Sequence, residues 1–179
     1  MKNFKLKPLM LAAATVTSLS AFTVAHSSEI RGNINVSLTI GAGCAVNGQA
    51  SAGVNTFGSI DFGEQSSLAL FVDAESQGAA GGDIELTCND QLAYSIALDD
   101  GLYSNAGQRR LSGGTNEFVL YDLYQDAARS VRWGSSAEAK ALTGSGGPQA
   151  LTIYGRIIAG QTTPSQGAYA DTIRMTVNW

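Results

Sequence analysis

The chain has 179 residues, with 11 Lys+Arg against 15 Asp+Glu, one histidine and two cysteines. A single histidine excludes His-based zinc sites and the Ser-His-Asp and Cys-His forms of nucleophilic catalysis once it is placed at a processing junction, as below. An acidic, lysine-poor surface with no basic stripe excludes nucleic acid as a partner.

Residues 1–25 read as a secretory signal peptide. Lys2, Lys5 and Lys7 form a positive start, and the first acid is Glu29. Residues 9–24 are apolar or small, and Thr23-Val24-Ala25 fits a small-x-small cleavage site, with Ala25-His26-Ser27 as second choice. A lipid-spanning helix wants ~20 mostly apolar residues; this stretch is short and broken by Thr15, Thr17, Ser18 and Ser20. Cleavage removes three lysines and no acid, leaving 8 basic and 15 acidic residues, a net charge of −7. The remaining 154 or so residues suffice for one domain with a real core.

After the signal the chain reads as nearly all β. Glycine is abundant (21), proline scarce (3), and no segment keeps a helical period for three turns. The best helical candidate, 126–140, is broken by Gly134, Ser135 and Ser136. Predicted strands are 30–40, 56–62, 68–74, 83–88, 93–98, 117–124, 131–133, 151–158 and 169–179. Asp99-Asp100-Gly101 reads as a hairpin turn, with loops at 78–82 and 144–148. Short strands with such punctuation suggest a two-sheet, immunoglobulin-like sandwich.

The first and last strands are two-faced. Ile30, Gly32, Ile34, Val36, Leu38 and Ile40 share one parity; Arg31, Asn33, Asn35, Ser37 and Thr39 share the other. Gly32, a gap in a bulky row, suggests a place where another group passes closely. In the last strand Tyr169, Ile173, Met175, Val177 and Trp179 lie opposite Thr172, Arg174, Thr176 and Asn178. The alternation alone fits equally well the outer strands of a closed sandwich. Cys44 and Cys88, in an exported chain, read as one structural disulfide. Closing a loop of ~45 residues would stabilise the fold by roughly 4 kcal/mol on the chain-entropy estimate. Their spacing matches no CxxC-type metal site and no histidine lies near.

Two blocks carry a family resemblance. Phe118-Val119-Leu120-Tyr121-Asp122-Leu123-Tyr124-Gln125-Asp126-Ala127-Ala128-Arg129, with Trp133-Gly134, is one. Tyr154-Gly155-Arg156-Ile157-Ile158-Ala159-Gly160-Gln161, then Pro164, Gly167, Tyr169, Asp171, Thr172 and a closing strand to Trp179, is the other. With Cys44, Phe57-Gly58, Phe62-Gly63 and Cys88 upstream, this ordered set resembles the spore coat U domain, shared by subunits of archaic, Csu-type chaperone–usher pili. The departure is Ile158, where proline is expected in many relatives.

The resemblance implies an immunoglobulin-like sandwich lacking its last strand. A periplasmic chaperone fills the gap first, and then the N-terminal extension of the next pilin subunit, handed on at an outer-membrane usher. It implies three regions: a signal at 1–25, a donor-strand extension at 26–40, and the pilin domain at 41–179. Ile30, Gly32, Ile34, Val36, Leu38 and Ile40 would be the donor row. Tyr169, Ile173, Met175, Val177 and Trp179 would flank the acceptor groove, the chain's terminal carboxylate meeting basic residues of the chaperone. Cys44 and Cys88 would match the family disulfide. The implied role is a structural pilus subunit at the cell surface, serving adhesion and biofilm formation, without cofactor or catalysis. A coat or matrix protein without an usher, and a small carbohydrate-binding adhesive module, are the other classes.

Catalytic candidates are few. His26 sits at the cleavage junction. Asp99-Asp100 could be a glycosidase pair, but neighbouring acids in a turn are ordinarily solvated turn formers. Asp122 and Asp126 favour hydrogen-bonding or surface roles. Tyr121, Tyr124 and Trp133 could build a sugar platform, although aromatics on strands favour packing. Residues 144–147 lack the strand-to-helix context of a phosphate loop.

Overall fold

A computed structural model describes residues 29–47, 55–114 and 116–179. Residues 1–25, read from the sequence as a signal, and His26 lie outside the described residues. No helix among the described residues is long and apolar enough to cross a membrane.

Among the described residues eleven strands follow in order: β1 Cys44–Val46, β2 Gly58–Ile60, β3 Val72–Gly78, β4 Ile84–Cys88, β5 Ala93–Leu98, β6 Arg109–Ser112, β7 Phe118–Tyr124, β8 Lys140–Thr143, β9 Pro148–Leu151, β10 Tyr154–Ile157 and β11 Met175–Asn178. One 3-10 turn, Ser136–Glu138, is the only helical element among the described residues. The strands make three antiparallel sheets, ordered β1-β4-β9, β2-β3-β10-β7-β6 and β11-β5-β8.

Period-two burial explains how the sheets stack. β4 alternates Ile84, Leu86 and Cys88 inward with exposed Glu85 and Thr87, and β7 turns Val119, Tyr121 and Leu123 inward. These rows, with Ile96, Leu98, Leu151 and Ile157, form one hydrophobic cluster between the five-stranded sheet and the two smaller ones. Trp133 is fully buried in it, and its indole N–H donates to the Ile96 carbonyl at 2.8 Å. This is the all-β sandwich class read from the sequence.

The disulfide joins Cys44 to Cys88, directly opposed residues of β1 and β4. Beside it, Gly144 has room for no side chain, since a Cβ there would stand 2.1 Å from the Asn89 carbonyl oxygen.

Several elements differ from the sequence reading. The strand predicted at 68–74 begins only at Val72 and runs on to Gly78, where it finds β2 and β10; Leu68 is buried singly, and Leu70 and Phe71 are exposed. The predicted 151–158 splits into β9 and β10, which belong to different sheets. Residues 131–133 supply only a bridge from Arg132 to Tyr124. β6 and β8 are not apolar enough to announce themselves: β6 begins Arg-Arg, and Arg109 is buried through charge and carbonyl partners. Asp99-Asp100-Gly101 makes no hairpin, because β5 and β6 on either side of it belong to different sheets; a tight two-residue turn does form further along the same connection. It is at Ala106-Gly107, both at positive φ, between Asn105 and Gln108, which exchange two backbone hydrogen bonds of 3.0 Å.

Residues 29–38 are a unit of their own. Within it no β-ladder is present, and the strand predicted over 30–40 is not formed. A lone strand without a sheet to pair into has nothing to offset its ordering entropy.

Candidate functional site

β1 pairs on one side with β4, and β11 on one side with β5; neither has a ladder on its other side among the described residues. β4 and β5 are joined by a short turn in which the Leu92 N–H donates to the Asn89 carbonyl at 3.2 Å. β1 starts opposite the end of β4, Cys44 facing Cys88, and β11 finishes opposite the start of β5, Asn178 facing Ser95. The start of β1 and the end of β11 therefore lie at the same end of the sandwich, and the two free edges run antiparallel. A cleft of about 440 Å³ marks that end, its lining drawn from residues 42–45, from Cys88 and Asn89, and from Trp179.

Burial changes at this edge. Tyr94, Ile96 and Leu98 of β5 are at most 5% exposed. On β11, Met175 and Val177, with Ile173 just before it, pack against the core yet remain half-buried, and Trp179 is 58% exposed. The apolar row of the last strand is covered from one side only. Tyr169, predicted to share that row, lies upstream of β11; its hydroxyl donates to Glu117 Oε2 at 3.1 Å and the Ser165 carbonyl at 2.9 Å. Hydrogen bonds from Ser165 and Tyr169 hold the Glu117 carboxyl below the usual range.

The start of the last strand is pinned. Asp99 Oδ1 accepts the Arg174 N–H at 2.9 Å, while the Asp99 N–H donates to the Arg174 carbonyl at 3.1 Å. Asp171 Oδ1 accepts from the Leu102 N–H at 2.9 Å and the Thr172 N–H at 2.8 Å, and its Oδ2 takes the Tyr121 hydroxyl at 2.8 Å. Burial and that carboxylate push the Tyr121 hydroxyl well above the ordinary tyrosine range. Ala170 and Ser112 add two backbone bonds. The pattern that could have flagged this anchor is the Asp-Asp-Gly turn paired with an acid a few residues ahead of the closing strand.

The predicted donor row has the opposite character. Ile30, Ile34, Val36, Leu38 and Ile40 are 77–99% exposed, and nothing lies within 4 Å of where a Gly32 Cβ would be. Residues bearing five large apolar side chains are thus presented to solvent.

The remaining candidates hold structural positions. Asp99 serves the anchor, and Asp100 pairs with Arg132 at 3.2 Å. Asp122 Oδ1 accepts from fully buried Arg109 at 3.1 Å and from Arg132 at 2.9 Å, while Arg109 also donates to the Asp99 carbonyl at 2.7 Å. Asp126 closes its own loop by accepting from Ser130 and Val131. Tyr121 and Trp133 are core and Tyr124 is on the opposite face of β7, so the three share no platform.

A family model described as the Spore Coat Protein U domain matches residues 30–176. Protein U of Myxococcus xanthus is 30% identical over 182 residues, covering 97% of this chain and 98% of the relative. Among solved structures, the CsuC-CsuE chaperone-tip adhesion subunit pre-assembly complex from archaic chaperone-usher Csu pili of Acinetobacter baumannii aligns with a TM-score of 0.47 at 23% identity, over 79% of this chain and 40% of that one. A chaperone-tip adhesin complex of CFA/I fimbriae biogenesis aligns at 0.39 and 13%, over 68% and 41%. This chain therefore spans about two fifths of either chain's length.

Proposed function

The chain belongs to the Spore Coat Protein U domain family, and from that premise we propose that it is a structural subunit of a chaperone–usher surface fibre. On this reading its sandwich is an immunoglobulin-like fold short of one strand, and residues 30–40 supply that strand to the next copy. The observation that carries it is the pair of free edges, β1 and β11, flanking an apolar row covered from one side only.

The physics is β-augmentation: main-chain hydrogen bonds to both edges give strength, and alternate side chains fill pockets. Five apolar side chains buried at ~1.5–3 kcal/mol each give a gross gain on the order of 10 kcal/mol, part of which strand ordering offsets. Before assembly the same edges are an aggregation hazard, which gives a periplasmic chaperone its role, with an outer-membrane usher completing export and a surface fibre serving adhesion and biofilm growth. The role is structural, with no catalysis and no cofactor.

The test is deletion of 30–40. The deleted chain should accumulate bound to a chaperone and give no fibres by electron microscopy; normal fibres from that mutant would defeat the reading. The family's description after a spore coat protein favours a second reading, a coat or matrix protein without an usher. Neighbouring chaperone and usher genes separate the two.

A further inference from the structure

We propose that the outward face of the five-stranded sheet binds a neutral pyranose chain, on a platform made by Tyr124 and Tyr154 and in the polar hollow beside it. This platform belongs to a different sheet from the free edges β1 and β11 and owes nothing to the fibre reading.

Tyr124 and Tyr154 are directly opposed on β7 and β10, and both are half-buried. The next pair in register, Leu123 and Gly155, faces the core: Leu123 is buried, and a Cβ on Gly155 would stand 2.9 Å from the Phe62 ring. The two tyrosines therefore share the outward face. Among the described residues Tyr94, Tyr121 and Tyr169 donate their hydroxyls to protein acceptors, whereas the hydroxyls of Tyr124 and Tyr154 have none. No buried side-chain oxygen among these residues lacks a partner, so both free hydroxyls reach solvent. Register extends the face. Glu75 of β3 lies opposite Tyr154, and the next outward row is Asp73, Arg156 and Asp122. Arg156 holds Asp73 by two bonds of 2.7 and 2.8 Å. Arg129 reaches the same carboxylate at 3.2 Å, with its guanidinium 5.6 Å from the centre of the Tyr154 ring. Asp73, Glu75 and Gln77 of β3 also line a hollow of about 500 Å³, together with Asp61 and Asp83.

The chemistry fits a sugar ring. A tyrosine offers a flat apolar body and a polar tip, which matches the C–H face and hydroxyl rim of a pyranose. Carboxylates beside the rings take charge-assisted hydrogen bonds from sugar hydroxyls, and Gln77 both donates and accepts. Charge selects the neutral class. Arg129 and Arg156 are already committed to Asp73, so an acidic sugar finds no free cation and meets Asp61, Glu75 and Asp83. An amino sugar is opposed by the two guanidiniums at the Tyr154 end. Neighbouring strands stand about 4.8 Å apart, so the row from Glu75 through Tyr154 to Tyr124 spans about 10 Å. That length takes more than one ring, which is why a chain fits better than a monosaccharide. An open site of this kind binds weakly alone and gains by repetition wherever copies are arrayed.

The experiment is calorimetric titration of the purified protein with neutral hexasaccharides of glucose, mannose and galactose, set against hexamers of galacturonate and of glucosamine. At least one neutral chain should bind saturably, and more tightly than either charged chain. Tyr124→Ala and Tyr154→Ala should each weaken that binding about 10-fold. Alanine also removes a cross-strand pair that supports the sheet. Tyr124→Phe with Tyr154→Phe keeps both rings and deletes only the hydroxyls, and should weaken binding about 5-fold for each hydrogen bond lost, with an unchanged thermal melt. Tyr103→Phe, at a 42% exposed tyrosine of the β5–β6 connection, should leave the affinity as it was. Three results overturn the proposal: no saturable binding of any neutral hexasaccharide, tighter binding of a charged chain, or full affinity in the double phenylalanine variant.

Discussion

Replacing Val36 by Asp is the sharpest single perturbation, because its neighbour provides a matched control. Val36 is 91% exposed in the free segment, so nearly all of its side chain is available for burial on docking. Burying a valine is worth about 1.5–3 kcal/mol, and an unpaired carboxylate forced into an apolar slot costs several kcal/mol more. The sum, on the order of 4–6 kcal/mol, corresponds to a roughly 10³–10⁴-fold weaker subunit contact. Ser37 points to the other face, and Ser37→Asp should change stability by less than about 0.5 kcal/mol. The assay is depolymerisation of purified fibres across a guanidinium series, followed by light scattering. Equal effects of the two substitutions, or none from Val36→Asp, would refute the face assignment from which the donor row is built.

Cys44→Ser should destabilise the subunit by roughly 2–5 kcal/mol, read as a lower guanidinium midpoint; an unchanged midpoint would make the bond dispensable. Arg109→Leu should cost about 3 kcal/mol or more, because it leaves the Asp99 and Leu98 carbonyls without their buried donor, and a thermal melt checks it. The Glu117 clasp on Ser165 and Tyr169 should stabilise at pH above the ordinary glutamate range and fade as acid lowers the pH through its depressed folded value. Amide exchange at Ser165 should accelerate there, and an exchange rate that follows only the intrinsic pH dependence would remove the clasp.

The elements most legible in the sequence were those with clean period-two burial: Ile84–Cys88, Ala93–Leu98 and Phe118–Tyr124 stand within a residue or two of where alternation placed them. The disulfide was legible because a start that reads as an export signal and a cysteine count of two leave few options. β6 was not, since strand patterning looks for apolar residues and Arg109 is buried by three oxygen acceptors supplied from Leu98, Asp99 and Asp122. Its partners come together only in three dimensions. The anchor at Asp99 and Asp171 was missed for the same reason, Asp99 reading locally as a turn former and Asp171 only as one residue of the block before the closing strand. The apolar row at 30–40 alternates plainly in the sequence, but alternation carries no information on whose sheet it joins, and the segment shows no ladder of its own.

The position of the Cys44–Cys88 bond has a mechanical meaning. Tension applied through residues 30–43 reaches the domain at the first residue of β1, a strand of three residues that a steady pull would peel from β4 one hydrogen bond at a time. The covalent bond stands at that first residue and shunts the load directly into β4, deep in the sandwich, so that traction on the tether strains a σ-bonded frame before it strains the ladder.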